Sequence, residues 1–146
     1  MTPEISEFAR VMIMDDWQRF LVIQEQNDLA RWCFLGGKTE PGATATMVVR
    51  RSAFEELGLV LAGLRLVHQQ DLDIDGAIHR GLFFHALGVR VDPSIQATRR
   101  QAEVRFVGIE GLKTMPALAG TLYEPAKVLL KNLNRLSAAG RRHGQN

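Results

Sequence analysis

Residues 36–59 read GGKTEPGATATMVVRRSAFEELGL, and this stretch constrains the chain more than any other. Two adjacent glycines, Gly36 and Gly37, permit a tight turn and a close backbone approach to a ligand. From about Ala43 to Leu57, apolar residues at Ala43, Met47, Val48, Phe54 and Leu57 recur near the i, i+4, i+7 rhythm of a helix. Thr44 or Gly42 can cap its start. Gly58 stands where a left-handed residue commonly ends a helix. On that helix Ser52, Glu55 and Glu56 are related by i, i+3 and i+4 and share one face, and Arg51 is spaced to pair with Glu55. Adjacent carboxylates repel, and in a last turn the helix dipole disfavours them as well. A hard divalent cation with oxygen ligands, its shell completed by phosphate, would resolve both conflicts. The plainer alternative is an exposed Glu-Glu pair solvated by water.

The flanks set the architecture. Residues 7–14 and 19–25 are apolar runs around a polar break at Asp15 to Gln18, which reads as a β-hairpin. Residues 32–35 form a short strand that enters the glycine pair. After the helix, two long strands over 61–74 and 78–91 flank Asp75-Gly76, a strong tight-hairpin signal. A polar loop spans Asp92 to Arg100, a strand covers 102–109, and a short turn follows. A last helix starts near Tyr123 to Pro125, with Pro125 in its first turn. Ala126, Val128, Leu129, Leu130, Leu133 and Leu136 give it a broad apolar face. This order of strands and helices predicts an α/β/α sandwich with a mixed β-sheet. The expected domain covers residues 1–138, with 139–146 as a disordered tail.

Composition narrows the function. At 146 residues the chain suits one domain with a real core. No apolar run approaches the ~20 residues of a membrane span, and the first residues lack the basic start and apolar core of a secretory signal. A lone Cys33 excludes an internal disulfide, fits a reducing compartment such as the cytoplasm, and reads as a small buried strand residue. Net charge is +2, with arginine outnumbering lysine and paired at Arg50-Arg51, Arg99-Arg100 and Arg141-Arg142. Arginine forks suit phosphate and carboxylate oxygens, although such pairs are also common solvated surface residues. The charge forms no stripe and is not interleaved with aromatics, which argues against nucleic-acid binding.

The glycine turn and acidic helix together resemble the Nudix family. Its signature runs Gly, five residues, Glu, seven residues, Arg-Glu, an aliphatic, any residue, Glu-Glu, any residue, Gly and an aliphatic. With Gly37 as the first glycine, Arg51, Ala53, Glu55, Glu56, Gly58 and Leu59 fall in step. Trp32, Gly36, Lys38, Glu40 and Gly42 match the usual approach to this box, with Leu35 where proline is common. The resemblance implies hydrolysis of a pyrophosphate bond in a nucleoside diphosphate linked to another group, with Mg²⁺ or Mn²⁺. By resemblance, Glu55, Glu56 and the Gly36 carbonyl hold the metal and Arg51 orients the acids by an ion pair. The substrate is a small nucleotide-type molecule, and many relatives dimerise.

Two positions depart from the signature: Ala43 and Ser52 stand where it has glutamate. A serine supplies no charge and is a poor base, so metal binding is expected to weaken and turnover to slow by the ~10²–10⁴ typical of a lost general base. Asp92, Glu103 and Glu124 are candidate replacements, none singled out by spacing. A catalytically silenced nucleotide-binding or regulatory protein is the alternative reading. A regulator usually carries a DNA-binding domain, for which little chain remains after the last helix.

Other motifs carry less. Asp71, Asp73 and Asp75 imitate the start of a calcium loop, but Leu82 stands where its closing glutamate is needed. His79 and His85 share a strand face without a third ligand. His68, also on a strand, reads as a satisfied polar side chain. Trp32, Phe83 and Phe84 read as core or pocket wall.

Overall fold

A computed structural model describes residues 6–25, 28–98, 102–118 and 120–143. Along these residues run β1 (Ser6–Met12), β2 (Phe20–Gln24), β3 (Trp32–Cys33), β4 (Leu35–Lys38), α1 (Ala45–Leu57), β5 (Gly63–Ile74), β6 (Ala77–Leu87), β7 (Val104–Val107), α2 (Ile109–Thr114) and α3 (Tyr123–His143). One sheet has the order β4-β1-β6-β5, in which β1 and β6 are parallel and the other neighbours antiparallel. A second, antiparallel sheet has the order β3-β2-β7.

Strand alternation sends successive side chains to opposite faces, and here both faces are buried. Ala9 and Val11 of β1, Leu21 and Ile23 of β2, and Phe84 of β6 pack with Val48, Val49, Ala53 and Leu57 of α1. The alternate residues Met12, Phe20, Val22 and Phe83 pack with Trp32, Phe34 and, from α3, Ala126 and Leu129. Burial on both faces explains why β1 and β2 read as continuous apolar runs. The result is the expected α/β/α sandwich with a mixed sheet.

The turn after β1 falls where expected, but β1 and β2 do not form a hairpin. Beyond an isolated bridge between Met14 and Phe20, the two strands part into different sheets. Asp15 organises the crossing: its carboxylate accepts from the Trp17 and Arg19 N–H groups at 3.0 and 2.9 Å and from Arg19 Nε at 2.7 Å. The Asp75-Gly76 turn is as expected, with positive φ at both residues (53° and 83°). The short turn expected after the strand, at residues 110–112, is part of a helix, α2 over Ile109–Thr114. Residues 139–143, assigned to a tail, continue α3, whereas 144–146 lie outside the described residues, as do Arg99 and Arg100.

α1 begins at a Thr44 cap whose hydroxyl accepts from the Met47 N–H, and it ends at Gly58 with φ of 68°. Its buried face differs from the expected one. Met47 and Phe54 are exposed at 47% and 62%, and Val48, Val49, Ala53 and Leu57 are inside. Trp32, Phe83 and Phe84 are core residues, and Cys33 is buried and unbridged. Among the described residues, no helix is long and apolar enough to cross a membrane.

Candidate functional site

β4 brings the glycine pair against β1, with Gly36 opposite Arg10 and Gly37 opposite Ala9. The approach is so close that a Cβ on Gly36, whose φ is 145°, would stand 1.9 Å from the Ala9 carbonyl oxygen. No residue with a side chain fits there without moving a strand. The Gly36 N–H donates to Ser52 Oγ at 2.9 Å. Gly36 and Gly37, expected in a tight turn, lie within strand β4, and Ser52 joins the middle of α1 to that strand, a structural part that the sequence reading did not assign to it.

The C-terminal end of α1 is fixed as firmly. The Thr98 N–H and hydroxyl donate to the Glu56 carbonyl at 2.8 and 3.1 Å, and that hydroxyl also meets the Glu55 carbonyl. Arg50 donates from Nε to the Leu61 carbonyl at 3.1 Å and from Nη2 to the Ala62 carbonyl at 3.0 Å. One member of the first arginine pair thus clamps the chain leaving α1. The Thr98 contacts satisfy carbonyls that a helix end leaves open.

Beside β4 lies a cavity of about 360 Å³, lined by Gly36, Gly37, Ser52 and Glu56 together with Arg10, Glu25 and Lys38. Ser52 and Glu56, at i and i+4, face it together. Glu55 and Arg51 are exposed and do not line it. No Arg51–Glu55 ion pair forms among the described residues. Such a pair gains little in water, and arginine preceding the acid is the weaker orientation.

The proposed replacement acids are engaged elsewhere. Asp92 accepts from the Ser94 N–H and hydroxyl at 2.8 and 2.7 Å, and these bonds hold its carboxyl below the ordinary range. Glu103 pairs with Arg105 and Glu124 with Lys127. None of the three lines the cavity. Arg10, Glu25 and Lys38 do, and sequence reasoning did not single them out as site residues. A charged residue in the apolar run of β1 was the available signal for Arg10. Its Nη1 donates to the Phe34 carbonyl at 3.1 Å, and its guanidinium lies 5.8 Å from the Phe8 ring.

A second, more apolar cavity of about 180 Å³ adjoins the first. Phe8, Ile74 and His79 line it with Ser6 and Thr121, and Arg10, Glu25, Cys33, Phe34, Lys38 and Leu118 belong to both. His79 and His85 are not brought to a shared site. Burial, aided by the positive charge of Arg65, lowers the His85 pKa below its ordinary 6.5.

Among the described residues no group of three or more His, Cys, Asp or Glu side chains is placed to hold a metal. The first cavity is instead lined by two carboxylate residues, Glu25 and Glu56, and by the Ser52 hydroxyl, all oxygen donors. Such a set suits a hard cation that keeps waters and takes phosphate oxygens, as Mg²⁺ does.

Helices packed on both sides of a mixed sheet, with a glycine-bearing strand against an acid-bearing helix, are the class of domain these residues build. The NUDIX domain family model matches residues 7–131, and the chain belongs to that family. No curated protein matches it in sequence. Among solved structures it is similar to a MutT protein from Methanosarcina mazei Go1, at 18% identity and TM-score 0.69 over 87% of this chain and 94% of that one. It is also similar to the Escherichia coli dihydroneopterin triphosphate pyrophosphohydrolase, at 16% identity and TM-score 0.71 over 84% and 94%. A third is an ADP-ribose pyrophosphatase from Streptococcus suis 89-1591, at 19% identity and TM-score 0.61 over 88% and 92%. At these identities the likeness shows the fold. Family membership supports pyrophosphohydrolase activity in general and the use of a divalent metal ion.

Proposed function

We propose that the chain hydrolyses a pyrophosphate bond in a nucleoside diphosphate linked to another group, with Mg²⁺ or Mn²⁺. The carrying observation is that Gly36, Ser52 and Glu56 line one polar cavity together with Arg10 and Lys38. Glu56 and the Gly36 carbonyl are the groups assigned to the metal. Glu55 takes an outer part, through water, and Arg51 balances charge at the helix end. The bound cation supplies charge neutralisation at the phosphoryl oxygens. Arg10 and Lys38 bind and orient the anionic substrate, and Arg10, held by Phe34, does so with little further ordering. Ser52 keeps the glycine pair of β4 in register with α1. The substrates named for two similar structures, ADP-ribose and dihydroneopterin triphosphate, support the reaction class and leave the second group open.

The test is product release from nucleoside triphosphates, nucleotide sugars, ADP-ribose and dinucleoside polyphosphates, with each metal, beside Glu56→Gln. Turnover that collapses in the variant is the expected result. One observation favours a second reading, a silenced nucleotide-binding protein: the Ser52 hydroxyl is neutral and already accepts from Gly36. Binding without turnover, with hydrolysis appearing in Ser52→Glu, would establish that reading instead.

A further inference from the structure

Glu25 follows β2, and its N–H donates to the Arg31 carbonyl at 3.0 Å. It lines both cavities, whereas Glu56 lines only the polar one. These two are the only carboxylate residues lining the polar cavity among the described residues. No described residue hydrogen-bonds or ion-pairs with the Glu25 carboxylate, although Arg10 and Lys38 share the same boundary. An ionised carboxylate accepts hydrogen bonds and cannot donate them. At this boundary it disfavours further anionic groups and favours a ligand that brings donors.

The order of chemistry along the cleft indicates which donors. The polar cavity, with Arg10, Lys38 and Glu56, suits phosphates. The adjoining cavity has apolar walls from Phe8, Phe34, Ile74 and Leu118, with polar edges at His79, Thr121 and Ser6. Ser6 Oγ is buried with no partner among the described residues. Such walls suit an uncharged ring with a few polar edges. In a nucleotide the group between phosphate and ring is the sugar, and a carboxylate accepting from a ribose 2′-hydroxyl is a recurring arrangement.

We propose that Glu25 is a specificity-determining residue that accepts hydrogen bonds from the sugar hydroxyls of a ribonucleotide, so that ribonucleotides are used in preference to their 2′-deoxy counterparts. This rests on the hydrolase reading above. A hydrogen bond to a charged acceptor at a half-open site corresponds to roughly 10- to 100-fold in kcat/KM.

The experiment compares ribo- and 2′-deoxyribonucleoside triphosphates of the same base, across four bases, for the native chain, Glu25→Ala and Glu25→Gln. Hydrolysis is read as kcat/KM, and binding of ADP and dADP is read by calorimetry. The expected result is a ribo preference of that size, carried in KM and in the calorimetric affinity. The ratio should collapse toward unity in Glu25→Ala and be partly kept in Glu25→Gln, whose amide oxygen still accepts. Thermal melting of both variants verifies their folding. Equal use of the two sugars, a deoxy preference, or a ribo preference untouched by Glu25→Ala would each overturn the assignment while leaving the hydrolase reading intact. Failure of every nucleotide to bind or turn over would overturn that reading, and this inference with it.

Discussion

The glutamate pair ending α1 and the aspartates of the β5–β6 hairpin bring similar charge to the surface, yet the fold treats them differently. Asp71 lies 3.9 Å from Arg80, and Asp73 accepts from the Gly76 N–H at 2.9 Å, closing its own turn. Alternation spreads these acids along an exposed strand, where local partners and water suffice. Glu55 and Glu56 are adjacent on a helix, where successive side chains diverge by about 100°. Glu56 therefore joins Ser52 at the cavity, and Glu55 points away from it. An acidic run becomes a candidate site only where another element delivers a complementary group, here Gly36 of β4 and the cations of β1 and β4.

The sharpest way to break this comparison is to neutralise one acid in each segment. Glu56→Gln should reduce hydrolysis by about 10²–10⁴. Asp73→Asn should leave it unchanged, and Glu55→Gln should fall between them, all read as kcat/KM at saturating metal. Equal losses for Glu55 and Glu56 would mean that the cavity does not separate them.

The glycines of the two segments give the next contrast. Gly36→Ala should cost about 3 kcal/mol or more in chemical denaturation, because overpacking against the Ala9 carbonyl adds to backbone strain. Gly76 also has positive φ, but open space surrounds its Cβ position. Gly76→Ala should cost only about 1–2 kcal/mol, the left-handed penalty alone.

Ser52→Ala leaves the Gly36 N–H without its acceptor and should cost about 1–2 kcal/mol. Asp73→Ala exposes a turn N–H to water and should cost less than about 1 kcal/mol. The ranking, read from denaturation midpoints at equal slope, would reverse if Ser52 were an idle surface residue.

The smallest effect belongs to His85, on β6 beside Arg65. Its pKa is lowered in the fold, so the folded state resists protonation more than the unfolded chain does. Its contribution is complete above the ordinary value of 6.5 and is lost as pH falls from there through the lower folded value. Native stability should therefore decline as pH falls below about 6.5, and His85→Gln should flatten that part of the profile. An unchanged slope in the variant would assign the decline to other groups.

Much of this was legible without coordinates. The glycine pair, the Thr44 cap, the Gly58 stop, the Asp75-Gly76 turn and the apolar runs specify local structure, and local structure follows from backbone sterics and short-range periodicity. The box spacing carried the family, and the order of strands and helices carried the α/β/α layout. The sequence did not show that β1 and β2 part into separate sheets, because pairing depends on which distant strands compete for each edge. It placed Met47 and Phe54 inside, because a helical rhythm admits neighbouring faces until the sheet beneath selects one. It grouped Ser52, Glu55 and Glu56 by spacing, and only the position of β4 divides them. Arg10, Glu25 and Lys38 come from β1, the end of β2 and β4, and no spacing rule connects residues so far apart in the chain. The sequence by itself determined the elements, the turns and the family. The tertiary structure decided which charges share a cavity, because proximity between distant segments is set by packing.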